Sequence, residues 1–193
     1  MLAVQSLGAI PVPLYQDAAA AECVFPINNA EVRFAFAEDQ EQVDKILAVE
    51  LPLVRRIVVA DERGLSRYRD PRLVSFEEVE RLGAEHERAH PALFDALVDA
   101  TEAEDTAFLI YTSGTTGFPK GAMISHRNIL AQARAATEAI GVRAGDSVVS
   151  YLPLCHVAEQ ILSVYLPLHL GMEVNFAESV RTIQEDLREI APS

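Results

Sequence analysis

Apolar and polar residues follow two different repeats along this chain, one typical of strands and one typical of helices. Within residues 32–37, aromatic side chains alternate with other residues, which predicts a strand. Residues 56–60 contain the apolar run Ile-Val-Val-Ala, which indicates a short buried strand. Between them, residues 40–49 place their apolar side chains on one face, as an amphipathic helix does. The first sixty residues therefore contain a predicted strand, helix and strand in that order.

The same alternation continues to the end of the chain. Strands are predicted at 107–111, 122–125, 147–151 and 173–176, and helices at 18–27, 76–88, 91–99, from about 127 to Gly141, at 157–166 and at 180–190. Pro26 is expected to end its helix, and Pro167 to kink or end the next-to-last one, because proline has no N–H to donate. The repeated strand–helix order predicts an α/β fold with a mainly parallel sheet and helices on its faces.

Acidic side chains outnumber basic ones in the chain as a whole. The chain has 16 Lys and Arg against 29 Asp and Glu, a formal net charge of −13. Residues 61–105 carry thirteen acidic and six basic side chains, which predicts a solvated acidic connector with helices inside it. Nucleic-acid binding depends on clustered cations, so this composition argues against a nucleic-acid partner.

The remaining composition indicates an intracellular protein. Cys23 and Cys155 are far apart and lack metal-site spacing, so we expect reduced thiols in the cytoplasm. Cys155 beside His156 would suit a thiol nucleophile only if a third group oriented the pair, and none is found. Residues 1–13 are apolar but lack a basic start and are too short to cross a bilayer, so no signal peptide or transmembrane helix is predicted.

Candidate chemistry is concentrated in residues 111–126, YTSGTTGFPKGAMISH. Lys120 is one of only two lysines in the chain; the other is Lys45. Glycines let a backbone approach phosphate closely, hydroxyls add hydrogen-bond donors, and an ammonium supplies positive charge. A loop of this kind fits a polyphosphate. Its glycines are Gly114, Gly117 and Gly121, and its hydroxyl residues before Lys120 are Thr112, Ser113, Thr115 and Thr116.

Two other kinds of loop share part of this composition. The Walker A loop requires glycine, four residues, then Gly-Lys-Ser/Thr. Counted from Gly114, Pro119 stands where the second glycine belongs and Gly121 where the hydroxyl belongs, so that pattern fails twice. An ordinary Gly/Thr turn between two strands would explain a lone Gly-Thr-Thr-Gly, but it does not explain the order of all sixteen residues.

The loop, together with the His126 that ends it, resembles the phosphate-binding signature of the adenylate-forming enzymes. That family includes acyl-CoA synthetases, luciferases and the adenylation domains of peptide synthetases. Residues 150–160, SYLPLCHVAEQ, are similar to a second element found in long-chain fatty acyl-CoA synthetases, with His156 and Glu159 in matching positions. A weaker resemblance covers residues 7–15 and 22–47, whereas residues 61–104 match only loosely.

This resemblance implies particular roles for the candidate residues. Lys120 would stabilise the charge of the departing phosphates, and Thr112 would lie near Mg²⁺. His156, at a predicted helix start, would line the acyl site. The implied nucleotide-binding residues are Thr112, Ser113, Gly114, Thr115, Thr116, Gly117 and Lys120, with Thr115 and Thr116 facing the phosphates.

The predicted function is therefore that of an ATP-dependent acyl-CoA ligase, which joins a fatty acid to CoA through an acyl-adenylate. ATP, Mg²⁺, CoA and a fatty acid are the implied small molecules, and the resemblance allows peripheral contact with a membrane. We expect residues 1–193 to be a single α/β segment of the AMP-binding domain without the C-terminal lid domain, because later family motifs are missing, and to be inactive in isolation. The alternatives are an adenylating enzyme for an aryl or amino acid, and a non-catalytic nucleotide-binding fragment or pseudoenzyme.

Overall fold

The chain divides into two compact units. A computed structural model describes residues 1–112, 117, 119–179 and 181–192. The first unit comprises Met1–Thr101 and Tyr111–Gly121, and the second comprises Glu102–Ile110 and Ala122–Ser193. The first unit therefore contains the N-terminal half of the chain and the Tyr111–Gly121 part of the candidate phosphate loop.

A three-stranded parallel sheet lies in the first unit. Its strands, in spatial order, are β1 (Phe34–Ala37), β2 (Arg56–Val59) and β3 (Leu73–Ser75). Ala35 pairs with Ile57, which in turn pairs with Leu73. The sequence analysis predicts β1 and β2 but not β3. Part of the acidic segment 61–105 is thus built into the sheet.

Helices precede, separate and follow these strands along the chain. The helices are α1 (Leu2–Ser6), α2 (Ala20–Asn29), α3 (Gln40–Leu47), α4 (Phe76–Ala89) and α5 (Leu93–Asp99), with a short 3₁₀ helix at Leu65–Arg67. Two of them, α2 and α3, have buried apolar side chains. Asp39 caps α3 by accepting a hydrogen bond from the Gln42 amide at 3.1 Å. Val43 and Ile57 are fully buried and pack with Ile27 in one core. Burial of each such side chain stabilises the fold by about 1.5–3 kcal/mol.

Pro26 does not end α2, contrary to the sequence-based expectation. The helix continues to Asn29, and the Pro26 carbonyl still accepts a hydrogen bond from the Ala30 amide at 3.0 Å. Proline removes one helical hydrogen bond. Here the burial of Pro26 itself and of Ile27, which belongs to the core, offsets that local loss.

The remaining strands form two small sheets. β4 (Thr106–Thr112) pairs with β5 (Lys120–Ser125), and β6 (Ser147–Ser150) pairs in parallel with β7 (Glu173–Phe176). In the second unit, Phe108 on β4 is fully buried and stacks on Tyr165 with 5.8 Å between ring centroids. This contact places the start of β4 in an apolar core.

Helix α6 (His126–Ile140) begins and ends as the sequence predicts. Ser125 accepts a hydrogen bond from the Asn128 amide, and the Asn128 side chain accepts one from the Ser125 amide, which forms a capping box. Gly141 ends the helix at φ 77°, a left-handed conformation that suits glycine. Ala133 and Ala136 are buried on the predicted face, whereas Ile140 at its end is 69% exposed.

Residues 157–170 form one helical run that passes through Pro167. It consists of α7 (Val157–Gln160), a π-helical turn (Ile161–Tyr165) and α8 (Leu166–Leu170). The helix predicted for 157–166 is present but longer, because Pro167 stands in the first turn of α8, where a missing N–H costs little. The irregularity expected near this proline takes the form of the π-helical turn before it.

The α/β class is confirmed, and the strands with a known register pair in parallel, as predicted. The described strands are distributed over three separate sheets. The last helix, α9 (Ile183–Ile190), lies within its predicted range. Among the described residues, no helix combines the length and the apolar composition that crossing a membrane would require.

Candidate functional site

The candidate phosphate loop joins two paired strands. Thr112 is the last residue of β4 and Lys120 is the first residue of β5, and both side chains are exposed. Four of the predicted nucleotide-binding residues, Ser113, Gly114, Thr115 and Thr116, lie outside the described residues. The described part of the loop therefore comprises its two ends, Gly117 and the residues next to Lys120.

Gly117 shows why this loop needs glycine. Its φ is 135°, a backbone conformation that side-chain-bearing residues rarely adopt. Among the described residues, a Cβ atom built at this position would meet nothing within 4 Å. The backbone conformation is therefore the feature that favours glycine here. It is consistent with a loop whose amides can be turned toward an anion.

The two lysines of the chain stand in different environments. The Lys45 ammonium forms an ion pair with Glu41 at 2.9 Å and donates to the Gln16 carbonyl at 2.8 Å. Lys120 is exposed and, within the described part of the chain, makes no ion pair or hydrogen bond through its side chain. Among the described residues, no contact of the Lys120 ammonium therefore has to break before it meets an external anion.

Tyr111 anchors the base of the loop to α2, a role that the sequence analysis missed. Its hydroxyl donates to the Asn29 side-chain oxygen at 2.7 Å, and its ring meets Phe25 edge-on at 6.3 Å between centroids. On its other side lies Gly121, where an added Cβ would stand 3.1 Å from the Tyr111 ring. Burial raises the pKa of Tyr111, so its hydroxyl remains protonated and able to donate at neutral pH.

This close approach makes Gly121 sensitive to a single added methyl group. We expect Gly121→Ala to lower the free energy of unfolding by about 1 kcal/mol, because the Tyr111 ring must shift against Phe25 and Asn29. Gly83→Ala is the matched control, since Gly83 lies inside α4 with nothing within 4 Å of its Cβ position. That change should raise stability by about 0.5–1 kcal/mol. Urea unfolding of both variants measures the difference, and a stabilising Gly121→Ala would contradict this account of the contact.

His156 lies immediately before α7 in the second unit, as the sequence predicts. Its backbone amide donates to the Pro153 carbonyl at 3.0 Å, and its carbonyl accepts from the Gln160 amide at 3.1 Å. Its side chain is exposed and makes no capping hydrogen bond. The backbone of His156 therefore shapes the turn while the imidazole is left available to a ligand. Lys120, in contrast, belongs to the first unit.

Two buried polar residues that follow His156 in α7 were not predicted as functional. Glu159 is 2% exposed, and one of its oxygens accepts from the hydroxyls of Ser150 and Ser163, both at 2.6 Å. Gln160 is fully buried and donates to the Leu154 carbonyl. The available sequence signal was a Glu-Gln pair at the start of an otherwise apolar helix, a position where long polar side chains are rarely buried without a partner.

A metal ion would find few protein ligands among the described residues. They contain no group of three or more His, Cys, Asp or Glu side chains that could hold one. The Thr112 hydroxyl is a hard oxygen ligand at the exposed end of β4. Mg²⁺ commonly retains several waters and binds one or two protein oxygens together with substrate phosphates. The Thr112 hydroxyl therefore suits a single protein contact to a hydrated Mg²⁺.

Comparison with known proteins gives consistent results. The sequence profile described as AMP-binding enzyme matches residues 1–192. A long-chain-fatty-acid–CoA ligase of Homo sapiens is 31% identical over 191 residues, which cover 96% of this chain and 28% of that protein. The chain thus spans little more than a quarter of this curated relative's length.

Solved structures show the same fold at lower sequence identity. An anthranilate CoA ligase in complex with anthranoyl-AMP has a TM-score of 0.70 at 21% identity, covering 94% of this chain and 33% of its own. A benzoate CoA ligase from Burkholderia xenovorans has a TM-score of 0.69 at 21% identity, covering 99% and 35%. Because the family profile extends over nearly the whole sequence, the chain belongs to the family of AMP-binding enzymes.

Proposed function

We propose that this chain is the phosphate-loop portion of an ATP-dependent fatty acyl-CoA ligase. The overall reaction converts a fatty acid, ATP and CoA into acyl-CoA, AMP and diphosphate. The observation that carries the proposal is the exposed Lys120 ammonium, which has no internal partner among the described residues. Lys120 is the first residue of β5 and follows Gly117, which has a positive φ, by three residues. Membership of the AMP-binding family supports a nucleotide as the ligand of this loop.

The first chemical step requires groups that stabilise negative charge, and these residues can supply them. A carboxylate oxygen of the acid attacks the α-phosphorus of ATP, and the bond to the bridging oxygen of diphosphate breaks. Negative charge grows on the leaving diphosphate, and preorganised cations and amides stabilise that charge. Lys120 is the cation proposed for this role, and Gly117 allows the loop backbone to turn its amides inward. In the second step the CoA thiol attacks the acyl carbon and AMP departs.

The other nucleotide contacts are proposed from the family resemblance. Thr112 is the proposed protein ligand of Mg²⁺, which would neutralise phosphate charge when bound. Ser113, Gly114, Thr115 and Thr116 complete the nucleotide site, with the two threonines toward the phosphates. The proposal for Thr112 is supported by its exposed position at the end of β4.

His156 is the proposed contact for the acid substrate. Its exposed imidazole makes no hydrogen bond within the described residues and can donate one to a carboxylate oxygen. The surrounding loop also exposes apolar side chains, namely Tyr151, Leu152, Leu154 and Val157. This combination of one polar donor and several apolar side chains suits an acid with a hydrocarbon body.

A fatty acid is favoured over an aryl acid by sequence similarity. The human relative named as a long-chain-fatty-acid–CoA ligase is 31% identical over 96% of this chain. The fold alone does not distinguish these substrates. We place the reaction in the cytoplasm, where ATP and CoA are available, with peripheral contact to a membrane as a source of fatty acid.

A substrate panel tests this proposal. The full-length ligase, here meaning the polypeptide that joins this chain to the remaining segments of its relatives, is mixed with ATP, Mg²⁺ and radiolabelled diphosphate. We expect label exchange into ATP to be at least about tenfold faster with palmitate than with benzoate or an amino acid. A tenfold ratio corresponds to a difference of about 1.4 kcal/mol in transition-state free energy between the acids. The 193-residue chain alone should show no exchange above the protein-free control.

Each alternative gives a different result in the same assay. Exchange with benzoate or an amino acid, but not palmitate, would identify an aryl- or aminoacyl-adenylating enzyme. Binding of ATP without exchange for any acid would identify a nucleotide-binding protein without turnover. Exchange catalysed by the isolated chain would contradict the assignment of this chain as one portion of a larger ligase.

A further inference from the structure

Residues 151–156 form a loop, here called the His156 loop, whose two flanking elements are tied together by one buried carboxylate. Ser150 is the last residue of β6, and Ser163 lies in the π-helical turn. Both hydroxyls donate to the same Glu159 oxygen at 2.6 Å. Glu159 therefore links the strand before the His156 loop to the helical run after it.

Backbone contacts within the loop converge on the neighbouring residue, Gln160. The Gln160 side chain donates to the Leu154 carbonyl, and its backbone amide donates to the His156 carbonyl at 3.1 Å. The His156 amide in turn donates to the Pro153 carbonyl at 3.0 Å. Consecutive buried residues, Glu159 and Gln160, thus hold the end of β6 and the middle of the loop.

Stability alone is a poor explanation for this arrangement. Removing a carboxylate from water is costly, and well-packed apolar residues at buried ionic positions are often equally or more stabilising. Glu159 is 2% exposed and belongs to the same helical run as Ile161 and Leu166, which are also buried. Leucine would suit such surroundings, but it could not accept the two serine hydroxyls.

We propose that Glu159 is a positioning residue: through its hydrogen bonds to Ser150 and Ser163 it fixes the His156 loop so that the imidazole is presented to the substrate carboxylate. This inference rests on the proposed function for the identity of the substrate. The structural part, that Glu159 sets the conformation around His156, does not depend on it. Glu159 itself does not contact the substrate.

Two substitutions separate hydrogen bonding from charge and from bulk. Glu159→Gln keeps a carbonyl oxygen that accepts from both serines, whereas Glu159→Leu keeps the size and loses both hydrogen bonds. In the full-length ligase we expect Glu159→Leu to raise the KM for palmitate about 5- to 10-fold and to change the KM for ATP less than about twofold. The KM values of Glu159→Gln for both substrates should stay within about threefold of the parent. This variant keeps the hydrogen bonds that set the position of His156, and the contact with substrate depends on that position. Ser163→Ala removes one of the hydrogen bonds and should give a change between these two, with little risk to folding.

A second measurement follows the loop without using activity. Histidine labelled with ¹³C at Cε1 is incorporated into the 193-residue chain, and the His156 signal is assigned from its loss in His156→Gln. We expect this signal to shift or broaden in Glu159→Leu and Ser163→Ala and to remain in place in Glu159→Gln. The signal of His169, which lies later in the same helical run, should be unchanged in all three and reports on global damage.

The two measurements distinguish failure of this inference from failure of the proposed function. An unchanged His156 signal in Glu159→Leu and Ser163→Ala would overturn the positioning role, whatever the activity. Equal losses for palmitate and ATP, or a Glu159→Gln variant as impaired as Glu159→Leu, would also overturn it. A shifted His156 signal in a ligase that adenylates no fatty acid would support the positioning role and contradict the proposed substrate.

Discussion

Replacement of Lys120 by alanine is expected to slow adenylate formation in the full-length ligase by roughly 30- to 900-fold. This corresponds to about 2–4 kcal/mol, the usual effect of removing one preorganised group that stabilises transition-state charge. The physical reason is the growth of negative charge on diphosphate as it leaves. Lys120 is exposed at the start of β5 and makes no internal ion pair among the described residues. Rapid-quench measurement of diphosphate release in a single turnover gives the rate directly.

The other lysine of the chain supplies the control. Lys45 is partly exposed but is engaged by Glu41 and the Gln16 carbonyl, so Lys45→Ala should leave diphosphate release within about twofold of the parent. Transfer of the acyl group from a preformed adenylate to CoA should be nearly unaffected by Lys120→Ala, because diphosphate has already left. Diphosphate release at the parent rate in Lys120→Ala, or equal slowing by both substitutions, would remove Lys120 from the proposed mechanism.

The elements that sequence predicted well are those whose apolar repeat coincides with deep burial. Val43 and Ile57 are both fully buried, and the helix and strand that contain them lie within two residues of their predicted bounds. β3 was missed because Leu73–Ser75 is only three residues long. A repeat of two cannot be recognised over so short a run, particularly inside a segment with thirteen acidic side chains.

The two prolines show how tertiary packing overrides a local rule. A proline inside a helical pattern normally marks its end, since it removes a donor and crowds the preceding turn. Pro26 is nevertheless inside α2, where it is buried next to Ile27. Pro167 is tolerated because the helical run contains a π-helical turn before it, and no apolar repeat reveals such a turn in advance.

Some residues of the candidate site can be predicted from their neighbours in sequence, whereas others depend on contacts between distant positions. Lys120 and His156 were identified because each lies in a recognisable run of neighbouring residues. The contact of Tyr111 with Asn29 joins positions 82 residues apart, so a single sequence gives no indication of it. Glu159 is closer to its partners, but its burial depends on the packing of the π-helical turn against the end of β6. Supporting residues are therefore harder to predict than the groups they support.

Replacement of His156 by alanine is expected to weaken the apparent affinity for fatty acid by roughly 10- to 150-fold while leaving the affinity for ATP within about twofold. A hydrogen bond to a charged partner is commonly worth about 1.5–3 kcal/mol, which sets this range. The imidazole is exposed and makes no capping hydrogen bond, so its loss should change the free energy of unfolding by less than about 0.5 kcal/mol. Initial-rate measurements with each substrate varied in turn, together with thermal melts, provide the three quantities.

His169→Ala is the matched control, because His169 is also exposed and lies at the end of the same helical run. It should leave both affinities and the melting temperature near those of the parent. His156→Gln retains an N–H donor and should recover part of the affinity for fatty acid. If His156 served only to shape the turn before α7, His156→Ala would instead lower the melting temperature and weaken both substrates together. That result would contradict its assignment to the acid site, because a contact made only with the carboxylate cannot act on ATP binding in the absence of acid.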